Sequence, residues 1–439
     1  MKYRILSLDG GGSWALIQAR VLMDIYGDIR GHELLRKFDM AIANSGGSLV
    51  LACLCNDMLL SEIVAVFRTE SQRKQVFSAL SFWEKLQWRN IASLFTRRLG
   101  PRYHTERKVK GLKSVLKEMD HLLKEGKIAE PIVETQLHKL PAIIGKPELQ
   151  LLIVGFDYFK ERVNFFRSNT KSLTDNFGSG DFFSTSLADA IHSSSNAPVN
   201  YFDQPAQISI HNIAKKDDRQ TWYWDGGVSG FNNPVLAGVI EAITNDKGQR
   251  KPEDYCILSI GTGVGSRAVL TDMKDSTDPE VKAVYEKNKN NPYAITDTGS
   301  GFIKDITKLS TSILSDPPDS ATFIAYSILH PALTKDANII RINPCLSPVK
   351  NKETGIYEPP EVYKNNGDKH KLYMDVLELD MDAVADNEVE LINDLCNRFI
   401  ITGSTPALPN QLIRGNISGN YLGHPTYEKA KEKWVKDCM

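Results

Sequence analysis

The chain has 439 residues, 41% of them hydrophobic and 24% charged, with a formal net charge of −1. That length supports a sizeable core in one large domain or two to three smaller ones, and so balanced a charge excludes a surface that attracts nucleic acid or anionic membrane as a whole. The six cysteines lack a paired CxxC spacing, the first residues lack a secretory pattern and no apolar run is long enough for a bilayer, so the expectation is reduced thiols, no structural zinc and a cytoplasmic protein.

Ile5-Leu6-Ser7-Leu8 reads as a short buried strand, followed by Asp9-Gly10-Gly11-Gly12 and an apolar-periodic helix from Ala15 to Tyr26. Met40-Ala41-Ile42 repeats the pattern, with small residues Ala43 to Ser48 and a helix over Leu49 to Asp57. Two strand–glycine turn–helix units within sixty residues predict a parallel sheet with helices on its faces. Residues 72–130 read as helical and basic, 265–300 as a polar insertion, 347–370 as a loop, 381–399 as a helix, and 427–435 as a short charged helix. The apolar runs Leu151–Val154 and Cys256–Ile260 read as further central strands.

A serine presented on a strand-to-helix elbow needs small residues two before and two after it. Ser45 meets this with Ala43 and Gly47, and Ser13 meets it with Gly11 and Ala15. The pattern does not separate them, and a plain turn fits it too. The Gly10-Gly11-Gly12 run leaves free N–H groups at the positive end of a helix, a geometry for a phosphate or a developing oxyanion. A phosphate loop would need a following Lys-Ser/Thr, but Ser13-Trp14 follows instead. Gly10, Gly12 and Ala15 fit the loose dinucleotide fingerprint, yet Ala43-Asn44 stands where that reading wants an acid. None of the nine histidines sits in a setting that marks a base. Trp222-Tyr223-Trp224-Asp225-Gly226-Gly227 either delivers an aspartate toward a serine or is an ordinary Asp-Gly turn.

"SLDGGG" at 7–12, the elbow after "FDMAIA" at 38–43 and "DGGVSGFNNP" at 225–234 resemble, in order and spacing, the patatin-like phospholipases. "ADAIHSSSNAPVNYF" at 188–202, "ILSIGTG" at 257–263 and "IIRINP" at 339–344 resemble further blocks of that family. The resemblance implies a three-layer α/β/α sandwich with a mainly parallel sheet over residues 1–395, with 396–439 as a tail. It also implies a Ser–Asp dyad without histidine. Carried over, Ser45 is the nucleophile, Asp225 its base, Gly10, Gly11 and Gly12 the oxyanion donors, and Ala43, Gly47 and Gly226 the supports of the two turns. Membrane phospholipids are the implied substrate, with lysophospholipids or neutral glycerides as alternatives and a silent binding protein as the competing class. No metal, organic cofactor or DNA partner is expected. Trp14 stands where the family carries arginine, and Ala43 where it carries glycine.

The segment from 77 to 110 mixes aromatic residues with many cations. It reads as a lid with a solvated charged face, as a contact for anionic lipid at the membrane surface, or as a site for an anionic regulator. Some bacterial proteins of the resembled family act in antiphage defence under cyclic-oligonucleotide control. That likeness implies a cyclic-oligonucleotide activator, with Arg97, Arg98, Arg102 and Tyr103 as lipid or ligand contacts.

Overall fold

The computed structural model describes residues 2–85, 100–169, 183–212, 216–263, 265, 267–270, 273–296, 319–333, 338–364, 367–400, 409–413 and 421–439. Among them the expected parallel strands form: β1 (Tyr3–Leu8), β2 (Met40–Ala43), β3 (Gln150–Asp157), β8 (Tyr255–Ile260) and β9 (Ile339–Ile342). They lie in the order β9-β8-β1-β2-β3, every neighbouring pair parallel. Beyond β3 the sheet turns antiparallel through β7 (Asp217–Asp225), β6 (Ala206–Asn212) and the short β5 (Phe183–Ser184), while β4 (Arg162–Arg167) folds back on β3 as a hairpin.

Side chains alternate across the pleat. Leu6, Leu8, Ala41 and Ala43 face one core, under α1 (Leu16–Tyr26), α2 (Ser45–Cys55) and α4 (Leu187–Ser194). Ile5, Met40, Ile42, Leu152 and Val154 face the other, under α5 (Val235–Asn245) and the helix over 319–329. Helices thus cover both faces, and the three-layer α/β/α sandwich expected from the sequence is the observed fold.

Several local expectations need correction. α2 starts at Ser45, not Leu49: Asn44 before it is extended (φ −129°), and the small residues Gly46 to Ser48 carry its first turn. The insertion at 265–300 contains a helix, Pro279–Asn288, capped by Asp278 and started by a proline already fixed at helical φ. The loop at 347–370 includes a small hairpin (Val349–Lys350 with Tyr357–Glu358) and opens into α6 (Gly367–Leu377). The helix expected over 381–399 starts only at α7 (Asp386–Leu395), because Met381 is held out of helical geometry when its carbonyl accepts the Ser13 N–H at 3.1 Å.

The tail is joined to the core. In α8 (Tyr427–Asp437), Trp434 is fully buried, stacks on Phe38 at 5.9 Å and donates its indole N–H to the Tyr26 hydroxyl at 2.8 Å. Arg4 at the start of β1 reaches the carbonyls of Cys438 and Met439. A boundary at 396 therefore cuts through packed structure.

Candidate active site

Because β1 and β2 run parallel, with Leu8 opposite Ala43, the two loops that leave them meet at one end of the sheet. Ser45 stands at the first of these meeting points with φ +47°, a left-handed conformation that costs a serine on the order of 1–3 kcal/mol and persists only where the surroundings impose it. Its N–H donates to Ser194 Oγ at 3.0 Å. Gly47 is required by close approach, since a Cβ there would lie 2.6 Å from the Leu8 and Asp9 carbonyl oxygens. Ala43 is fully buried, and its methyl group fits the strand. The structure separates the two elbow serines: Ser45 lines the cavity described below, whereas Ser13 is buried in the 3-10 turn Gly12–Ala15 and does not.

Asp225 ends β7 and is 5% exposed. Its carboxylate accepts from Gly227 N–H at 2.8 Å and from Asn44 Nδ2 at 3.2 Å, with the Ser45 side chain beside it. Burial pushes its pKa above the ordinary carboxylate range, and these donors, with the Lys108 ammonium, pull it back. Gly226 supports this turn, since a Cβ there would lie 2.5 Å from Asn44 Oδ1.

The glycine loop is pinned from several sides. Arg341 on β9 grips the Asp9 carboxylate at 2.9 and 2.5 Å, Gln18 donates to the Asp9 carbonyl at 2.8 Å, and Thr262 Oγ1 donates to the Gly10 carbonyl at 2.8 Å. The expected set of oxyanion donors changes here. Gly10 N–H is committed to the Asn232 carbonyl at 2.8 Å, so it is no free donor. Among the described residues the N–H groups of Gly11, Gly12 and Gly46 have no protein acceptor. Gly46, directly after the serine, was absent from the sequence-based set. It packs so tightly on the loop that a Cβ would meet Gly12 O at 2.6 Å and Gly12 N at 2.7 Å.

These groups open into a cavity of about 690 Å³ walled mainly by apolar side chains, among them Leu49, Phe77, Pro198, Phe202, Leu346 and Leu377. Trp14 lines it and donates its indole N–H to the Asp380 carbonyl at 3.1 Å, tying the 378–382 wall to the glycine loop. Arg102 reaches the cavity, but its guanidinium is paired with Asp380 at 2.9 Å and Asp382 at 3.1 Å, and Tyr103 donates to Asp382 at 2.5 Å away from the lining. Neither offers an anion an uncommitted charge. Arg97 and Arg98 lie outside the described residues.

Sequence reasoning also missed Asn44, Ser194, Asn196 and Lys108, which surround the Ser45–Asp225 pair. Ser194 and Asn196 belong to the Ser/Ala-rich block at 188–202, where several similar side chains compete. Lys108 sits in "ERKVK", where composition reads as a solvated face. No helix among the described residues is long and apolar enough to cross a membrane.

No curated protein matches the chain. Among solved structures, VipD from Legionella pneumophila is 11% identical with a TM-score of 0.33, over 90% of this chain and 67% of that one. Full-length ExoU from the type III secretion system of Pseudomonas aeruginosa, solved with SpcU, is 10% identical with a TM-score of 0.24, over 91% and 88%. The family model for patatin-like phospholipase matches residues 6–239, just over half of the chain. The chain therefore belongs to the patatin-like phospholipase family, a family of lipid hydrolases.

Proposed function

We propose that the protein is a serine acyl hydrolase of the phospholipase A type, cleaving fatty-acyl esters of membrane phospholipids with Ser45 as nucleophile and Asp225 as its base. One observation carries the reading: a serine on a strained elbow stands beside a buried carboxylate, beneath three backbone N–H groups with no acceptor among the described residues.

Ser45 Oγ attacks the ester carbonyl carbon as its proton passes to Asp225. The negative charge that forms on the carbonyl oxygen is met by the Gly11, Gly12 and Gly46 N–H groups, each such donor contributing on the order of 10²–10³ in rate. Collapse of the intermediate breaks the ester C–O bond, and the lysolipid alkoxide leaves with the proton from Asp225. Water then gives a proton to Asp225, attacks the acyl-serine and releases the fatty acid, and Ser45 recovers its proton. The apolar walls of the cavity suit an acyl chain.

The test is hydrolysis of a fluorogenic diacyl phospholipid by wild type, Ser45→Ala and Asp225→Asn, with circular dichroism to confirm folding. Both variants are expected to lose activity by at least about 10³-fold, on the order expected for a nucleophile and its base. Full activity in Asp225→Asn would refute the dyad. Hydrolysis of neutral glycerides in place of phospholipid would redirect the substrate.

A further inference from the structure

Lys108 projects from α3 (Thr105–Glu118) into the protein and is only 1% exposed, yet it lines the active cavity. Its ammonium donates to the His192 carbonyl at 3.1 Å and to Asn196 Oδ1 at 3.5 Å, and it lies 4.4 Å from the centroid of the Phe202 ring. Burying a cation is costly unless an opposite charge faces it, and a well-packed apolar side chain would fill this slot more cheaply. Burial pushes the Lys108 pKa well below the usual lysine range, and the Asp225 charge pulls it back toward the charged form.

Asn196 fixes the two groups together: its carbonyl accepts the Asp225 N–H at 3.1 Å, while its side chain accepts from Lys108. Among the described residues the other groups facing the pair are neutral. Burial holds His192, on α4, uncharged and holds the Tyr201 phenol protonated, Asn44 and Gly227 give hydrogen bonds without charge, and the Ser45 hydroxyl beside them is neutral. Arg102, the second cation among the described residues that line the cavity, is paired with Asp380 and Asp382.

We infer that Lys108 is a positioning residue of the acyl-transfer site, the buried cation that keeps Asp225 in its proton-accepting form. The glycine loop itself carries no cation from Gly10 to Ala15, and the charge enters instead from α3. The inference rests on the proposed Ser45–Asp225 chemistry.

The experiment is the pH dependence of kcat/KM on a soluble fluorogenic ester for wild type, Lys108→Met and Lys108→Arg. An opposite charge beside a carboxyl lowers its pKa by about 1–3 pH units, so Lys108→Met is expected to move the acid limb up by about one pH unit or more. Well below that limb, kcat/KM then falls about tenfold for each pH unit by which the limb moves. Lys108→Arg, which keeps the charge, is expected to hold the limb near its wild-type position. The limb midpoint does not depend on how much of a preparation is folded, so a merely structural lysine would lower the rate without moving it. An unmoved limb in Lys108→Met overturns the inference. If the methionine variant does not fold, Lys108→Gln, which keeps a donor for the His192 carbonyl, is read by the same two outcomes. A wild type inert on every ester would instead refute the acyl-hydrolase reading beneath it.

Discussion

Gly46→Ala tests whether the site depends on the close approach of its two loops. The new methyl group would sit 2.6 Å from Gly12 O and 2.7 Å from Gly12 N, whereas ordinary contact begins at 3.4 Å. Both obstacles are backbone, so the loops must part by roughly 0.8 Å, and a displacement near 1 Å can cost about 10²-fold in rate. Two of the unpartnered N–H groups, those of Gly12 and Gly46, flank the clash, and losing one good donor alone costs on the order of 10²–10³. Saturating fluorogenic ester is expected to turn over about 10²–10³-fold more slowly than with wild type, while KM changes far less. Overpacking should also lower stability by about 1–3 kcal/mol, read from thermal melts. A folded Gly46→Ala protein with undiminished turnover would refute the placement of the oxyanion site between these loops.

Three further outcomes follow from the packing. Arg341→Met strands the buried Asp9 carboxylate and should destabilise the protein by about 3–5 kcal/mol in chemical denaturation, more than the Asp9→Asn, Arg341→Met pair of changes together. Trp434→Ala removes a fully buried indole stacked on Phe38 and should cost about 3–5 kcal/mol; a near-neutral effect would show that α8 is dispensable to the core. Burial holds the folded-state pKa of His192 well below its ordinary value, so its contribution to stability is present above the unfolded pKa of about 6.5 and is lost as pH falls through the folded value. His192→Phe should therefore make the fall of Tm between about pH 7.5 and pH 5 shallower than in wild type, and an equal slope would remove His192 from the account.

Much of the framework was legible in the sequence because its signals are local. Two apolar strands, each followed by a small-residue turn and a helix, predict a parallel sheet and place Gly10–Gly12 and Ser45 at one end of it. Asp225 was legible as a candidate from an apolar strand that ends in Asp-Gly-Gly, although the same letters describe a plain turn. The choice between Ser13 and Ser45 was not local, since both satisfy the elbow spacing. What sets the two apart is the cavity, which one serine faces and the other does not.

The groups that complete the site were invisible for a related reason. Lys108 lies between Arg107 and Lys110, and only the packing of α3 against α4 buries one of the three cations while leaving its neighbours outside. Gly10 looks like an oxyanion donor until the 225–234 turn brings the Asn232 carbonyl to its N–H. The C-terminal helix reads as a charged tail until Trp434 finds Phe38, nearly four hundred residues earlier. Periodicity and turn chemistry, which act over a few residues, set the strands, the helices and the two turns that hold Ser45 and Asp225. Which N–H stays free, which lysine is buried and which serine meets the aspartate depend on contacts between distant segments, and only the tertiary structure decides those.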